Sequence, residues 1–301
     1  MPRIFRLSSL LLIALLLSGC SRTALLYDNA DWMAVRWVSS LLDADSRQKD
    51  QWQAMFGEVV EQHRAQLLPE VVAMLRELEQ QAESGIRTQF LECWLQAADD
   101  SYRRHVDLLI PTAVGVLRDI RWEQVDHLQS ELDERNDEYR EAKLFSDPAE
   151  QREARAERYV ERIERWTGSL DNSQVDWVAL QVARLPDVAG AWLDYRRDRQ
   201  AELLALLRAD PTESRLRAYL ETWWQRFDHR AADLERDTIR LRQGMVAMID
   251  QLDRRLSAGQ RRTLVENVRD LRVGLESASR QDDVLARTGA RWPNCASAAA
   301  I

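Results

Sequence analysis

Apolar side chains along this chain recur every three or four positions and almost never alternate, which is the period of helices rather than of half-buried strands. Residues 27–42 read as a first short helix, with Trp32 and Trp37 in its body. The acidic stretch 43–45 interrupts it. Asp45 followed by Gln48 has the spacing of a capping box and opens the next helix. There Phe56, Val60, His63 and Leu67 fall at 4-3-4 spacing. Pro69 can open a continuation carrying Val71, Leu75 and Leu78, which ends at Ser84-Gly85. Phe90, Trp94, Tyr102 and Val106 carry another helix to Pro111, where it is expected to kink or end. Val125, Leu128, Leu132 and Tyr139 form one stripe over 122–145. Ser146-Asp147-Pro148 places a cap before a proline at the first helical position, and that helix should end near Gly168. Two more follow over 173–184 and 186–208, and Asp210-Pro211 with Glu213 starts another.

The last third carries the most regular pattern. Leu234, Thr238, Leu241, Met245, Met248 and Leu252 repeat at 4-3-4-3-4, and Leu264, Val268, Leu271, Leu275 and Ala278 at 4-3-4-3. Two seams of this period joined by a short turn predict an antiparallel hairpin. The expected fold class is all-α: antiparallel helical hairpins packed as an elongated multi-helix bundle. The expected organisation is a leader over 1–19, a tether over 20–26, one helical domain over 27–288 and a tail over 289–301.

One local pattern returns at helix starts: Leu170-Asp171-Asn172-Ser173-Gln174, Leu256-Ser257-Ala258-Gly259-Gln260 and, more loosely, Ile120-Arg121-Trp122-Glu123-Gln124. Asp171 or Ser257 can accept from the open N–H groups of the first turn, and the glutamine can return to the cap's own N–H. The copy at Leu256 resembles the LTxxQ motif of small helical periplasmic chaperones, with Ser257 in place of threonine. That resemblance implies helical hairpins in the periplasm and, more distantly, binding of unfolded clients.

The first twenty residues divide by chemistry. Arg3 and Arg6 precede an apolar run over 7–17, then come the small residues Ser18 and Gly19 and then Cys20. This is the layout of a secretory signal, and the run is shorter than the roughly 18–20 apolar residues an uncleaved span needs. Leu17-Ser18-Gly19-Cys20 resembles the lipobox of bacterial lipoproteins. The resemblance implies that Cys20 receives diacylglycerol and, after cleavage, an N-acyl chain, with no other cofactor. Ser21 after the cysteine implies, by the sorting rule of such lipoproteins, the outer membrane facing the periplasm. The stretches Leu26-Tyr27-Asp28-Asn29-Ala30-Asp31-Trp32, Glu164-Arg165-Trp166-Thr167-Gly168-Ser169-Leu170 with Gln174, and Trp192-Leu193-Asp194-Tyr195-Arg196-Arg197-Asp198-Arg199-Gln200 resemble a family of uncharacterised proteobacterial envelope lipoproteins. That family brings no activity with it.

Composition narrows the function classes. A net charge of −8 gives no electrostatic reason to bind nucleic acid, and no polybasic segment would draw the chain to an anionic lipid surface. Apart from Cys20 there are two cysteines, Cys93 and Cys295; in an oxidising compartment they form either a bridge or two separate buried thiols. None of His63, His105, His127 and His229 has a glutamate three residues before it, as a bundle metal site would want. Neither a phosphate loop nor a nucleophile elbow is present, so an enzyme is not expected. Eleven tryptophans invite an aromatic surface. Trp223 and Trp224 are not expected to share one helix face, so one of them is the expected exposed anchor. The basic cluster Arg196, Arg197 and Arg199 is a solvated face or meets an anionic partner. Three functions stand side by side: a non-enzymatic scaffold or interaction module held at the membrane, a chaperone-like binder of unfolded clients, and a hydrolase or binding protein for an envelope component. Partners would be the membrane itself and other envelope proteins.

Overall fold

The computed structural model describes residues 19–279 and Cys295, with side chains from Thr23 onward. Residues 1–18 of the leader, residues 280–288 of the expected helical domain and the tail over 289–301, Cys295 apart, lie outside the described residues. Twelve α-helices occur in the described part, with no strand among them: α1 (Gly19–Asp28), α2 (Ala30–Leu42), α3 (Ser46–Gln66), α4 (Leu68–Ser84), α5 (Thr88–Asp119), α6 (Trp122–Lys143), α7 (Pro148–Thr167), α8 (Asn172–Val182), α9 (Ala189–Arg208), α10 (Glu213–Leu220), α11 (Ala232–Asp253) and α12 (Ala258–Ala278). A single π turn, Glu221–Gln225, follows α10.

The caps read in the sequence set many of these boundaries. Asp45 accepts from the Gln48 backbone N–H at 2.9 Å and opens α3. Asp147 and Pro148 open α7, and Gly168, at φ +76°, closes it. Gly85, at φ +108°, ends α4, a backbone that an L side chain adopts only with strain. Of the two outcomes expected at Pro111, a kink or an end, the helix does not end there. Helix α5 runs through it for another two turns. An interior proline costs about 3 kcal/mol. Ile110, Val114 and Val116 are buried on either side of it, each contributing about 1.5–3 kcal/mol, and their packing outweighs the lost hydrogen bond.

Three apolar cores run through the bundle. The largest joins α2, α3, α5, α6, α9 and α10 around Trp52, Ile110, Leu216 and Leu220, all nearly fully buried. A second gathers Ala82, Ile86, Phe90, Val246, Val265 and Cys295. The third sets Val178 and Val182 of α8 against Met248 and Leu252 of α11, with Tyr159, Val160 and Ile163 of α7 alongside.

The two C-terminal helices follow one another through a short turn, but their seams do not face each other as expected. Helix α12 lies along α1 and α4, with α7 on its flank, and meets α11 near the turn, where Val265 joins Val246 in the second core and Arg261 binds Asp253 at 2.9 Å. The α11 seam is occupied by α8 and α7 instead. A 3.5-residue seam says that a stripe is buried; it does not say which helix buries it. On α12, Arg269 and Arg272 reach Glu79 of α4 at 2.6 and 2.7 Å. Burial alone would raise Glu79, but its hydrogen bonds to Arg272 and Arg269 prevail and hold it below the usual carboxylate range.

The recurring helix-start motif has a second role. Gln48 and Gln124, both buried, exchange amide hydrogen bonds at 2.9 Å in each direction. Gln174 and Gln260 do the same at 2.9 and 2.7 Å. Each glutamine also accepts from its own cap's backbone N–H and donates to a carbonyl at the start of the partner's cap: Gln48 to Asp119, Gln124 to Leu42, Gln174 to Arg255, Gln260 to Ser169. Two helix starts are thus locked back to back, twice. In the loose copy, Arg121 has no side-chain acceptor to offer; its guanidinium donates to Asp45 of the paired cap at 2.7 Å.

Candidate functional site on the two amino-terminal helices

Residues 20–26 were expected as a tether. Instead α1 spans Gly19–Asp28 and docks on α12. The physical reason is a close approach. Gly274 of α12 has no Cβ, and an added one would stand 2.7 Å from the Thr23 Cβ, so only glycine lets the two backbones come together. Tyr27, one turn further along, enters the bundle beside His63 of α3. Its hydroxyl meets His63 Nδ1 at 2.5 Å.

Around that contact sits a compact titratable cluster. The His63 and His105 rings are 4.9 Å apart, and Arg64 lies over the Tyr27 ring at 4.7 Å. Burial, with His105 and Arg64 adding to it, pulls His63 down from 6.5 to about 4. Burial pushes Tyr27 up to about 12, against the pull of Arg64. At neutral pH a protonated tyrosine therefore donates to a neutral imidazole. His105 Nδ1 faces the Ser101 carbonyl at 2.7 Å and donates to it. Arg64 is itself buried, hydrogen-bonded to the Ala278 carbonyl of α12 and to Asp28 of α1. The arrangement binds α1, α3 and α12 to one another. Among the described residues, no group of three or more His, Cys, Asp or Glu side chains could hold a metal ion.

The other face of α1 and α2 points away from the bundle. Leu25 is 60% exposed, Leu26 58%, Trp32 54%, Met33 44% and Trp37 57%. Leu25 and Leu26 lie on the outer side of α1, and Trp32, Met33 and Trp37, the last two one turn apart, on that of α2; together they make an exposed apolar stripe. Arg36 lies over the Trp32 ring at 5.6 Å, and Arg135 of α6 over Trp37 at 5.9 Å. Beside the stripe, an open groove of about 440 Å³ between α2 and α3 is lined by Trp32, Arg36, Ser39, Lys49, Asp50 and Gln53.

The other residues singled out in the sequence fall elsewhere. The Cys20 backbone is within α1; its side chain lies outside the described ones. Cys93 and Cys295 are bridged, with Cα atoms 5.6 Å apart. Neither Trp223 nor Trp224 is exposed, which corrects that expectation. Both are half-buried against the largest core, because they sit in the π turn. A π turn rotates successive side chains less than an α turn, so neighbours can share a face. Past this turn, Phe227 at φ +51° stacks on Tyr102 with ring centres 5.8 Å apart. The arginine cluster is divided: Arg196 binds Asn136 at 2.6 and 2.9 Å, Arg197 approaches Asp137 at 3.9 Å, and the buried Arg199 pairs with Glu202. Sequence reasoning missed the His63–His105 pair, because it looked for partners on one helix and these come from two.

Residues 40–228 match a family described as a family of unknown function, DUF6279. The chain belongs to that family. The DUF6279 region takes in Gln48, Gln124, Gln174 and the π turn, while α1 and α12 lie outside it. No curated protein and no solved structure matches the chain. Among the described residues, no helix is long and apolar enough to cross a membrane.

Proposed function

We propose that this chain is an exported lipoprotein of the bacterial envelope, anchored through acylated Cys20 in the outer membrane. Its helical domain serves as a non-enzymatic interaction module on the periplasmic side. The observation that carries the reading is Leu17-Ser18-Gly19-Cys20 directly behind a basic pair and an apolar run. Three acyl chains on one residue bury many methylenes at about 0.8 kcal/mol each, enough for stable anchoring. The Cys93–Cys295 bridge supports it, since such bridges persist in oxidising compartments. The exposed aromatic stripe on α1 and α2 supports an interaction role.

The test is metabolic labelling with a palmitate analogue, followed by density separation of inner and outer membranes. Wild type should carry label and band with the outer membrane. Cys20→Ala should lose both label and membrane retention; labelling unchanged by that substitution refutes the anchor.

A further inference from the structure

We propose that the stripe of Leu25, Leu26, Trp32, Met33 and Trp37 docks on the bilayer interface, so that α1 and α2 lie along the membrane surface. The inference rests on the reading that Cys20 carries the lipid, and adds how the domain is held relative to the membrane.

Geometry comes first. A helix rises about 1.5 Å per residue, which puts Leu25 about 8 Å from Cys20 along α1 and Trp37 about 10 Å beyond the start of α2. Acyl chains on Cys20 fix the start of α1 at the bilayer. If the helices stood upright, Trp32 and Trp37 would be carried away from the lipid. Lying flat, the whole stripe reaches it. The opposite face is already committed, with Thr23 against Gly274, Tyr27 against His63, and Val35, Leu41 and Leu42 in or beside the largest core. The outward face is therefore the one free to turn to lipid.

Composition agrees. Tryptophan favours the membrane–water interface and leucine the acyl boundary beneath it. Arg36, held over Trp32, sits where its guanidinium meets lipid phosphate. A second copy of the chain is the weaker occupant. The stripe is continuous with the anchor, and a net charge of −8 opposes self-association. Because apolar contact drives the docking, it should persist when salt is raised and when anionic lipid is withheld.

The experiment uses protein purified from the membranes of expressing cells and reconstituted into phosphatidylcholine vesicles with or without brominated acyl chains, which quench tryptophan on contact. Wild-type emission should fall in the brominated vesicles. The Trp32→Phe/Trp37→Phe chain, altered only at exposed positions, should lose most of that quenching while keeping its thermal unfolding curve. Mass measurement of Cys20 in the same samples reports the anchor separately. Acylated Cys20 with no quenching, or with quenching equal in the two chains, overturns docking and leaves the anchor standing. Quenching lost in the variant while Cys20 is bare supports docking and removes the anchor. If the stripe instead forms a concentration-dependent dimer that the double variant dissolves, with no quenching, the membrane is the wrong occupant.

Discussion

Gln48 and Gln124, 76 residues apart in the chain, each donate an amide N–H to the other's side-chain oxygen while accepting from the backbone of their own helix cap. Neither amide can be removed without leaving buried partners unpaired. Gln48→Leu strands the Asp119 carbonyl, the Asp45 N–H and one face of Gln124. A loss of about 3 kcal/mol is expected, since each unsatisfied buried group costs about 1–3 kcal/mol. The equivalent Gln260→Leu, at a more exposed pair, should cost less. Urea unfolding of the two variants checks the order; equal losses would contradict it.

Gly274→Ala should push α1 off α12. The new Cβ meets the branched Thr23 side chain, which cannot swing aside as a long flexible one would. Overpacking of this kind costs about 1–3 kcal/mol. Amide exchange within 19–28 should quicken while α5 and α9 stay protected. Adding Thr23→Gly, which removes the Cβ that the new methyl meets, should restore protection, and a double variant that exchanges as fast as the single one would show that the contact does not hold α1.

Stability should fall with acid through His63. Its folded value near 4 lies below the ordinary 6.5, so between these values the unfolded chain binds a proton that the folded chain refuses. The contribution is complete above 6.5, declines as the pH drops towards 4, and levels off below. His63→Gln keeps an acceptor for Tyr27 but cannot titrate. Its urea midpoint should change less over that window than the wild-type midpoint does, and parallel curves would place the acid sensitivity elsewhere.

Reduction of the Cys93–Cys295 bridge should lower stability by about 2–5 kcal/mol. Thermal unfolding with and without reductant measures it. Cys93→Ser should melt like the reduced wild type and be indifferent to reductant.

Phe227 offers an inverted glycine effect. At φ +51° a side chain costs about 1–2 kcal/mol relative to glycine. Phe227→Ala and Phe227→Gly both lose the stack on Tyr102, so the glycine variant should be the more stable of the two. Denaturant melts of the pair decide; alanine at or above glycine would refute the backbone argument.

What the sequence made readable was local. Asp45, Asp147, Asp171 and Ser257 marked helix starts because a cap and its N–H partners lie within four residues. The glutamines were recognised as cap partners, but an amide has a second face, and only the fold shows where Gln48 and Gln174 direct it. The α11 and α12 seams marked buried stripes, yet the choice of α8 and α4 as neighbours depends on packing between segments far apart in the chain, such as Val178 with Leu252. Tyr27, His63 and His105 come from three helices, and no spacing in the sequence joins them. The exposed stripe was half visible: Trp32 and Trp37 stood out, but their outward direction follows from which face of α2 the core takes.

The docking of α1 on α12 also dictates an order of events. The first helix of the described chain finds its neighbour only when the last has been made, some 250 residues later. A chain threaded across a membrane from its amino end must therefore keep Thr23 and the α12-facing side of α1 unsheltered until translocation is complete. In a chain exported as proposed, completion of this fold follows export, and a truncation that removes α12 leaves α1 without the surface that holds it.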